Sequence, residues 1–196
     1  MKLYRFSPIK NEDELQQAIE HIHFGAYKLC QVSFGKYLPN SGNIGIFCHY
    51  QDEYENLVEI RKNLTEISEN PNQKYFQLHH PIVIPAQGDV PETTYTFLYI
   101  RQPDPYRHHV GDVDFYLPED EYFALKKEME SGREVPGARL FPSPRLEMIE
   151  MYDPDCDVLA YVSTAKMADI VKTTKSEAWT CLITWQILLS YMEKLF

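Results

Sequence analysis

Apolar residues recur at helical spacing along the first third of the chain. In residues 11–34 they repeat every three or four positions, which is typical of a helix that buries one face. Asn11 and Glu14 have the spacing of a capping box, so we expect this helix to begin there. A second helix is predicted directly after Tyr50, because an apolar stripe follows that consists of Leu57, Ile60, Leu64 and Ile67.

The remaining pattern is mainly that of strands. In residues 43–50, side chains alternate between two faces, and we expect Ile44, Ile46, Cys48 and Tyr50 on one of them. Runs rich in β-branched and aromatic residues predict further strands at 74–85, 93–102, 112–117, 145–152 and 157–163, with a helix at about 119–130. This order predicts an α+β fold with a single mixed or mainly antiparallel sheet, covered by helices, in one domain of residues 1–196.

The end of the chain has the pattern of an apolar helix. Residues 178–192 are apolar around much of the helical circumference, but several polar side chains interrupt them. A bilayer core needs roughly 20 mostly apolar residues, so this segment is too short and too polar to cross one. We therefore expect residues 175–196 to form a C-terminal docking or oligomerisation helix, and the chain to form a homo-oligomer through it.

Aromatic residues form a second apolar feature in the predicted sheet. Tyr95, Phe97 and Tyr99 are expected to face the same way, with Tyr75 near them. Such a stripe either lies in the core or forms a surface that binds a partner, since each tyrosine brings apolar area and one hydroxyl. The pattern alone leaves both interpretations open.

Composition narrows the classes of partner. The chain has 19 Lys and Arg residues against 29 Asp and Glu, a formal net charge of −10, so binding along a nucleic-acid backbone is not expected. The four cysteines form no close pair of the kind that zinc ribbons and redox motifs need. Residues 1–10 contain no apolar run of a secretory signal, which favours a cytoplasmic protein without a membrane association.

The densest polar cluster lies between residues 101 and 114. Because successive side chains of a strand point to opposite faces, Asp112 and Asp114 are expected side by side on the face opposite Val113. Two such carboxylates can hold a divalent cation, which can polarise a phosphoryl oxygen or activate a water molecule. In the alternative interpretation, both carboxylates face water or form ordinary ion pairs with nearby arginines.

Basic and imidazole side chains precede this aspartate pair. His109 is predicted as a further metal ligand, and His108 or His109 as the general acid or base. A histidine ligand would favour manganese, iron or zinc over magnesium. Arg101 and Arg107 are predicted to bind a substrate phosphate or carboxylate through bidentate hydrogen bonds.

Two functional hypotheses follow from these features. The first is a metal-assisted enzyme acting on a small phosphorylated or nucleotide-like substrate, in which Asp112 and Asp114 hold the cation. The second is a non-enzymatic acidic module that binds another protein through the aromatic sheet face and the apolar C-terminal helix. The sequence contains no motif that fixes the reaction.

Overall fold

The fold is a seven-stranded mixed sheet with helices packed against it, which confirms the predicted α+β class. The computed structural model describes residues 4–70, 72–104, 106–141, 148–170 and 172. The helices in these ranges are α1 (Glu12–Phe34), α2 (Gln51–Leu64), α3 (Glu119–Glu130) and α4 (Ala165–Ile170). The strands are β1 (Asn40–Phe47), β2 (Tyr75–Ile84), β3 (Thr93–Arg101), β4 (Gly111–Leu117), β5 (Ala138–Phe141), β6 (Met148–Met151) and β7 (Val158–Thr164).

The strand order brings distant parts of the chain together in the middle of the sheet. It is β2-β3-β1-β4-β7-β6-β5, so β1 lies between β3 and β4, and β4 lies between β1 and β7. The β1–β3 and β4–β7 pairs are parallel, and the other neighbours are antiparallel. Asp112 and Asp114 lie on β4, so they have β1, from the first half of the chain, on one side and β7, from the second half, on the other.

The main core lies on one face of the sheet, beneath α1, α2 and α3. Asn11 caps α1, because its side-chain oxygen accepts a hydrogen bond from the Glu14 amide at 2.9 Å. The buried stripe of α1 packs with Leu57 of α2, Tyr122 of α3 and every second residue of the central strands. On β4 these core residues are Val113 and Phe115, both fully buried.

The opposite face of the central strands is more polar. We call it the aspartate face; it carries Asn43, Gly45, Phe47, Phe97, Tyr99, Asp112, Asp114, Glu150, Leu159 and Tyr161. Phe47, Leu159 and Tyr161 form a small apolar cluster there, separate from the main core. The period of two along each strand thus gives one apolar face and one face with chemically active groups.

Several predicted details are wrong. Tyr50 caps α2 instead of ending β1, and Ile67 lies beyond α2 with 94% of its surface exposed. The short strand β5 lies in an interval for which the sequence pattern predicts no strand. The predicted aromatic stripe is divided, because Tyr95 points into the main core and bonds His23, whereas Phe97 and Tyr99 lie on the aspartate face. The change of facing falls where the β2–β3 register shifts, between the Gln77–Phe97 pair and the Ile82–Tyr95 pair.

Two further predictions concern the C-terminal segment and the crossing of a membrane. The C-terminal docking or oligomerisation helix, residues 175–196, lies outside the described residues. Within the described part of the chain, no helix has the length and apolar character needed to cross a membrane. Cys30, Cys48 and Cys156 are free thiols.

Candidate functional site

Asp112 and Asp114 lie side by side on the aspartate face, where β4 pairs with β1 and β7. In the pairing register, Asp112 lies between Gly45 of β1 and Leu159 of β7. Asp114 pairs with Tyr161 of β7. The two carboxylates are therefore in the centre of the sheet, flanked by strands that are far away in the sequence.

The absence of a side chain at Gly45 makes room for the Asp112 carboxylate. A Cβ atom built on Gly45 would lie only 2.1 Å from Asp112 Oδ1, much closer than two such atoms can approach. Only glycine therefore fits at this position with Asp112 in its observed rotamer. As a result, the Asp112 carboxylate packs directly over the β1 backbone and is only 8% exposed.

The hydrogen bonds of the pair are unequal. Asp114 Oδ2 accepts hydrogen bonds from Asn43 Nδ2 and from the Tyr75 hydroxyl, both at 3.2 Å. By contrast, Asp112 Oδ1 and Asn43 Oδ1 are buried and have no hydrogen-bond partner within the described ranges. Two acceptor oxygens without a donor thus lie beside a second carboxylate.

Burial and mutual repulsion favour the protonated form of the pair. Burial, followed by the charge of Asp114, raises the pKa of Asp112 to about 8, although Arg101 and Arg107 oppose this rise. Burial also raises the pKa of Asp114, against the hydrogen bonds from Asn43 and Tyr75 and the charge of Lys172. The site therefore favours an added positive charge, whether it is a proton or a cation.

The two predicted arginines lie close to the pair, and both contact the same residue, Asp104. Arg101 Nη2 lies 3.3 Å from Asp104 Oδ2, and Arg107 Nε lies 3.5 Å from the same oxygen. The Arg101 guanidinium also lies 4.8 Å from the centre of the Phe47 ring. Arg101 pairs with Phe47 in the β1–β3 register, which places it on the aspartate face. These contacts with Asp104 are longer than typical charge-assisted hydrogen bonds, so an incoming anion can replace Asp104 as the partner of the two arginines.

The rings of the two predicted histidines lie against each other, tilted by 30°, in the loop before β4. The ring centroids of His108 and His109 are 4.2 Å apart, and His109 Nδ1 is buried without a partner in the described structure. Burial, His108 and Arg107 lower the pKa of His109 to about 4, so its ring is neutral at pH 7. A neutral imidazole can accept a proton or bind a metal ion through its free nitrogen.

Across the residues that the structure describes, no group of three or more His, Cys, Asp or Glu side chains is arranged to hold a metal ion. Asp112 and Asp114 supply two such side chains, and Asn43 adds an amide oxygen beside them. The assignment of His109 as a further ligand stays a prediction, as do the catalytic roles of His108, His109, Arg101 and Arg107.

The sequence interpretation missed four residues that surround the pair: Asn43, Gly45, Glu150 and Tyr161. The signal for the first two was present, because Asn43 and Gly45 alternate with Ile44 and Ile46 and so mark a polar, open strand face. Glu150 between Ile149 and Met151 gave a similar signal. Their proximity to Asp112 depends on the strand order, which the sequence does not determine.

Comparison with known proteins supports the fold alone. No protein-family model and no curated protein matches the chain significantly. The chain is similar in structure to the structural-genomics protein EC4020, with a TM-score of 0.55, 15% sequence identity, and coverage of 89% of this chain and 99% of that one. At this identity the similarity concerns the arrangement of strands and helices.

Two further similar structures are variants of Streptomyces coelicolor methylmalonyl-CoA epimerase in complex with 2-nitronate-propionyl-CoA. Their TM-scores are 0.30 and 0.28, with 19% and 16% identity, and each comparison covers 65% of this chain and 97% of the epimerase. Similarity at this level carries no argument about the site or its chemistry.

Proposed function

We propose that the chain is a metal-assisted enzyme that acts on a small phosphorylated or nucleotide-like substrate. In this proposal Asp112 and Asp114 bind a divalent cation, with the Asn43 side-chain oxygen as a third oxygen ligand. The observation that carries the proposal is the pair of buried acceptor oxygens, Asp112 Oδ1 and Asn43 Oδ1, which have no donor among the described groups.

A bound cation removes two energetic costs at once. A buried acceptor without a partner costs about 1–3 kcal/mol, and adjacent carboxylates in a buried site repel each other. Oxygen ligands of this kind suit magnesium or manganese. Two carboxylates are a sufficient protein contribution, because magnesium keeps several waters or phosphate oxygens in its shell. Iron or zinc would require a histidine such as His109 in addition.

The arginines would form the part of the site that binds the anionic group of the substrate. Arg101 and Arg107 carry positive charge to the edge of the carboxylate pair, and a phosphate group can form bidentate hydrogen bonds with either guanidinium. A cation at the pair would polarise a phosphoryl oxygen and activate a water molecule. Neutral His109 would then accept the proton, with its neighbour His108 as the alternative general acid or base.

The proposal is tested by the effect of manganese on thermal unfolding. Ligand binding to the folded state raises its stability by about 2.7 kcal/mol at 100 times Kd, so saturating Mn²⁺ should raise Tm by several degrees. The double variant Asp112→Asn, Asp114→Asn should lose this increase. The matched control is Asp155→Asn, which changes an exposed turn aspartate and should keep it. An equal increase in all three proteins, or none in any, would contradict the proposal.

A further inference from the structure

A cavity of about 440 Å³ lies where the parallel strands β1 and β3 begin, on the side of the sheet that α1 covers. Its lining consists of Tyr27 of α1, residues 37–40 and residues 91–94. Sites for small molecules typically have volumes of roughly 300–1,000 Å³, and their polar groups are few. The lining includes neither Asp112 nor Asp114, so this cavity is separate from the candidate site.

Two buried hydroxyl groups lie side by side in the lining. The Tyr27 hydroxyl oxygen and Thr93 Oγ1 are 2.7 Å apart. Thr93 Oγ1 donates its proton to the carbonyl oxygen of Pro91 at 3.2 Å, so the hydrogen bond between the two hydroxyls uses the proton of Tyr27. Both protons are therefore used within the protein, and these groups offer a ligand only the lone pairs of their oxygens.

An aromatic ring and a carboxylate complete the lining. The half-buried Tyr37 ring lies 5.5 Å from the Tyr27 ring, centroid to centroid, at an angle of 57°. The face of such a ring attracts a cation. Glu92 also lines the cavity and is exposed to solvent, and no residue of the lining carries a positive charge. The charge and the hydrogen-bonding groups of the lining thus favour a ligand that is positively charged and carries N–H donors.

We propose that this cavity binds the ammonium group of a small primary amine. Glu92 supplies the opposite charge and Tyr37 the aromatic face. The hydroxyl oxygens of Tyr27 and Thr93 accept hydrogen bonds from the ammonium, which has three N–H donors and no acceptor. The inference goes beyond the proposed function, because it assigns a second ligand to a site that shares no residue with the aspartate pair.

The test is a titration of the isotope-labelled full-length protein with butylammonium chloride, followed by the amide chemical shifts at constant ionic strength. The shifts should move and saturate at Leu38, Thr93 and Thr94, which line the cavity. An affinity in the millimolar range is expected from a ligand of so few atoms. Butanol has the same chain without the charge, so the same range of concentrations should produce no saturable shift.

Variants of the lining identify the groups that bind the ammonium. Glu92→Gln should weaken butylammonium binding about 3- to 5-fold, as expected for an ion pair open to solvent. Tyr37→Leu should weaken it about 2- to 5-fold through the loss of the aromatic face. Glu69→Gln is the matched control, because it removes the same charge from an exposed position outside the lining and should leave the affinity unchanged.

Three results would overturn the proposal. The first is the absence of saturable shifts around the cavity, and the second is equal binding of butanol and butylammonium, which would indicate an apolar cavity without selectivity for charge. The third is an equal loss of affinity in Glu92→Gln and Glu69→Gln, which would indicate a general attraction of cations to an acidic protein. Each of these results leaves the proposed Mn²⁺ site untouched, since that site is tested by different residues and a different ligand.

Discussion

A methyl group added at Gly45 would place a carbon atom 2.1 Å from Asp112 Oδ1, so the Asp112 carboxylate would have to move. We expect Gly45→Ala to lower the affinity for Mn²⁺ by about 10-fold or more, since it displaces one of the proposed ligands. The same overpacking should cost roughly 1–3 kcal/mol of unfolding free energy. Both quantities are measured on one preparation, by metal titration and by urea unfolding.

Gly25→Ala provides the control for overpacking alone. A Cβ atom at Gly25 of α1 would lie 2.8 Å from Val158 Cγ2, on the core face of the sheet. This variant should lose stability and bind Mn²⁺ within about 2-fold of the parent. Equal Mn²⁺ affinities in the parent and in Gly45→Ala would show that the cation does not depend on the Asp112 carboxylate.

His23 makes the stability of the protein depend on pH. Burial lowers the pKa of His23 to about 4, and His23 Nδ1 lies 2.8 Å from the Tyr95 hydroxyl oxygen. Below pH 6.5 the unfolded chain takes up a proton at this ring, and the folded protein does so only near pH 4. Stability from this group is therefore complete above pH 6.5 and is lost as the pH falls. The loss amounts to roughly 2 kcal/mol by pH 5.

The variant His23→Gln isolates this contribution. Glutamine stays uncharged and can still bond the Tyr95 hydroxyl. The unfolding free energy of the variant should therefore fall less than that of the parent between pH 7 and pH 5. Urea unfolding at each pH measures the difference. Parallel curves for the two proteins would show that His23 does not resist protonation in the fold.

The start of α1 depends on a local capping arrangement. Asn11 accepts from the Glu14 amide at 2.9 Å, and the Glu14 carboxylate accepts from the Lys10 amide at 2.8 Å. Because a cap satisfies backbone donors that the helix leaves free, Asn11→Ala should cost about 1 kcal/mol of unfolding free energy. Gln17→Ala, on an exposed position of the same helix, should change it by less than about 0.5 kcal/mol. A cap variant as stable as the control would contradict this account.

Helices and strands that are marked by residues within their own segment were predictable from the sequence. Features that depend on which strands pair with each other were harder to predict. The interval predicted for α3 matches Glu119–Glu130, because its start and its apolar spacing are local features. The strand β5 has only four residues, Ala138–Phe141, and its edge pairing with β6 has no strong signal in the sequence. Tyr95 lies at the place where the β2–β3 register shifts, and this register is also set by pairing.

At the scale of the whole molecule, the aspartate pair was predictable but its surroundings were not. Asp112 and Asp114 share a face because alternate residues of any strand do so. Asn43, Glu150 and Tyr161 reach them through the strand order, in which β1, β6 and β7 assemble around β4. The net charge of −10 also conceals a local group of arginines at the site, since composition averages over the whole surface.

The most direct test of the cation site is a crystal of the protein soaked in MnCl₂, examined by anomalous scattering at the manganese edge. The account predicts a peak between the side chains of Asp112, Asp114 and Asn43, about 2.0–2.6 Å from their oxygens, as hard cations require. It also predicts that this peak is absent in the Asp112→Asn, Asp114→Asn protein. A saturated soak with no peak at the pair, or with a peak only at surface carboxylates, would contradict it.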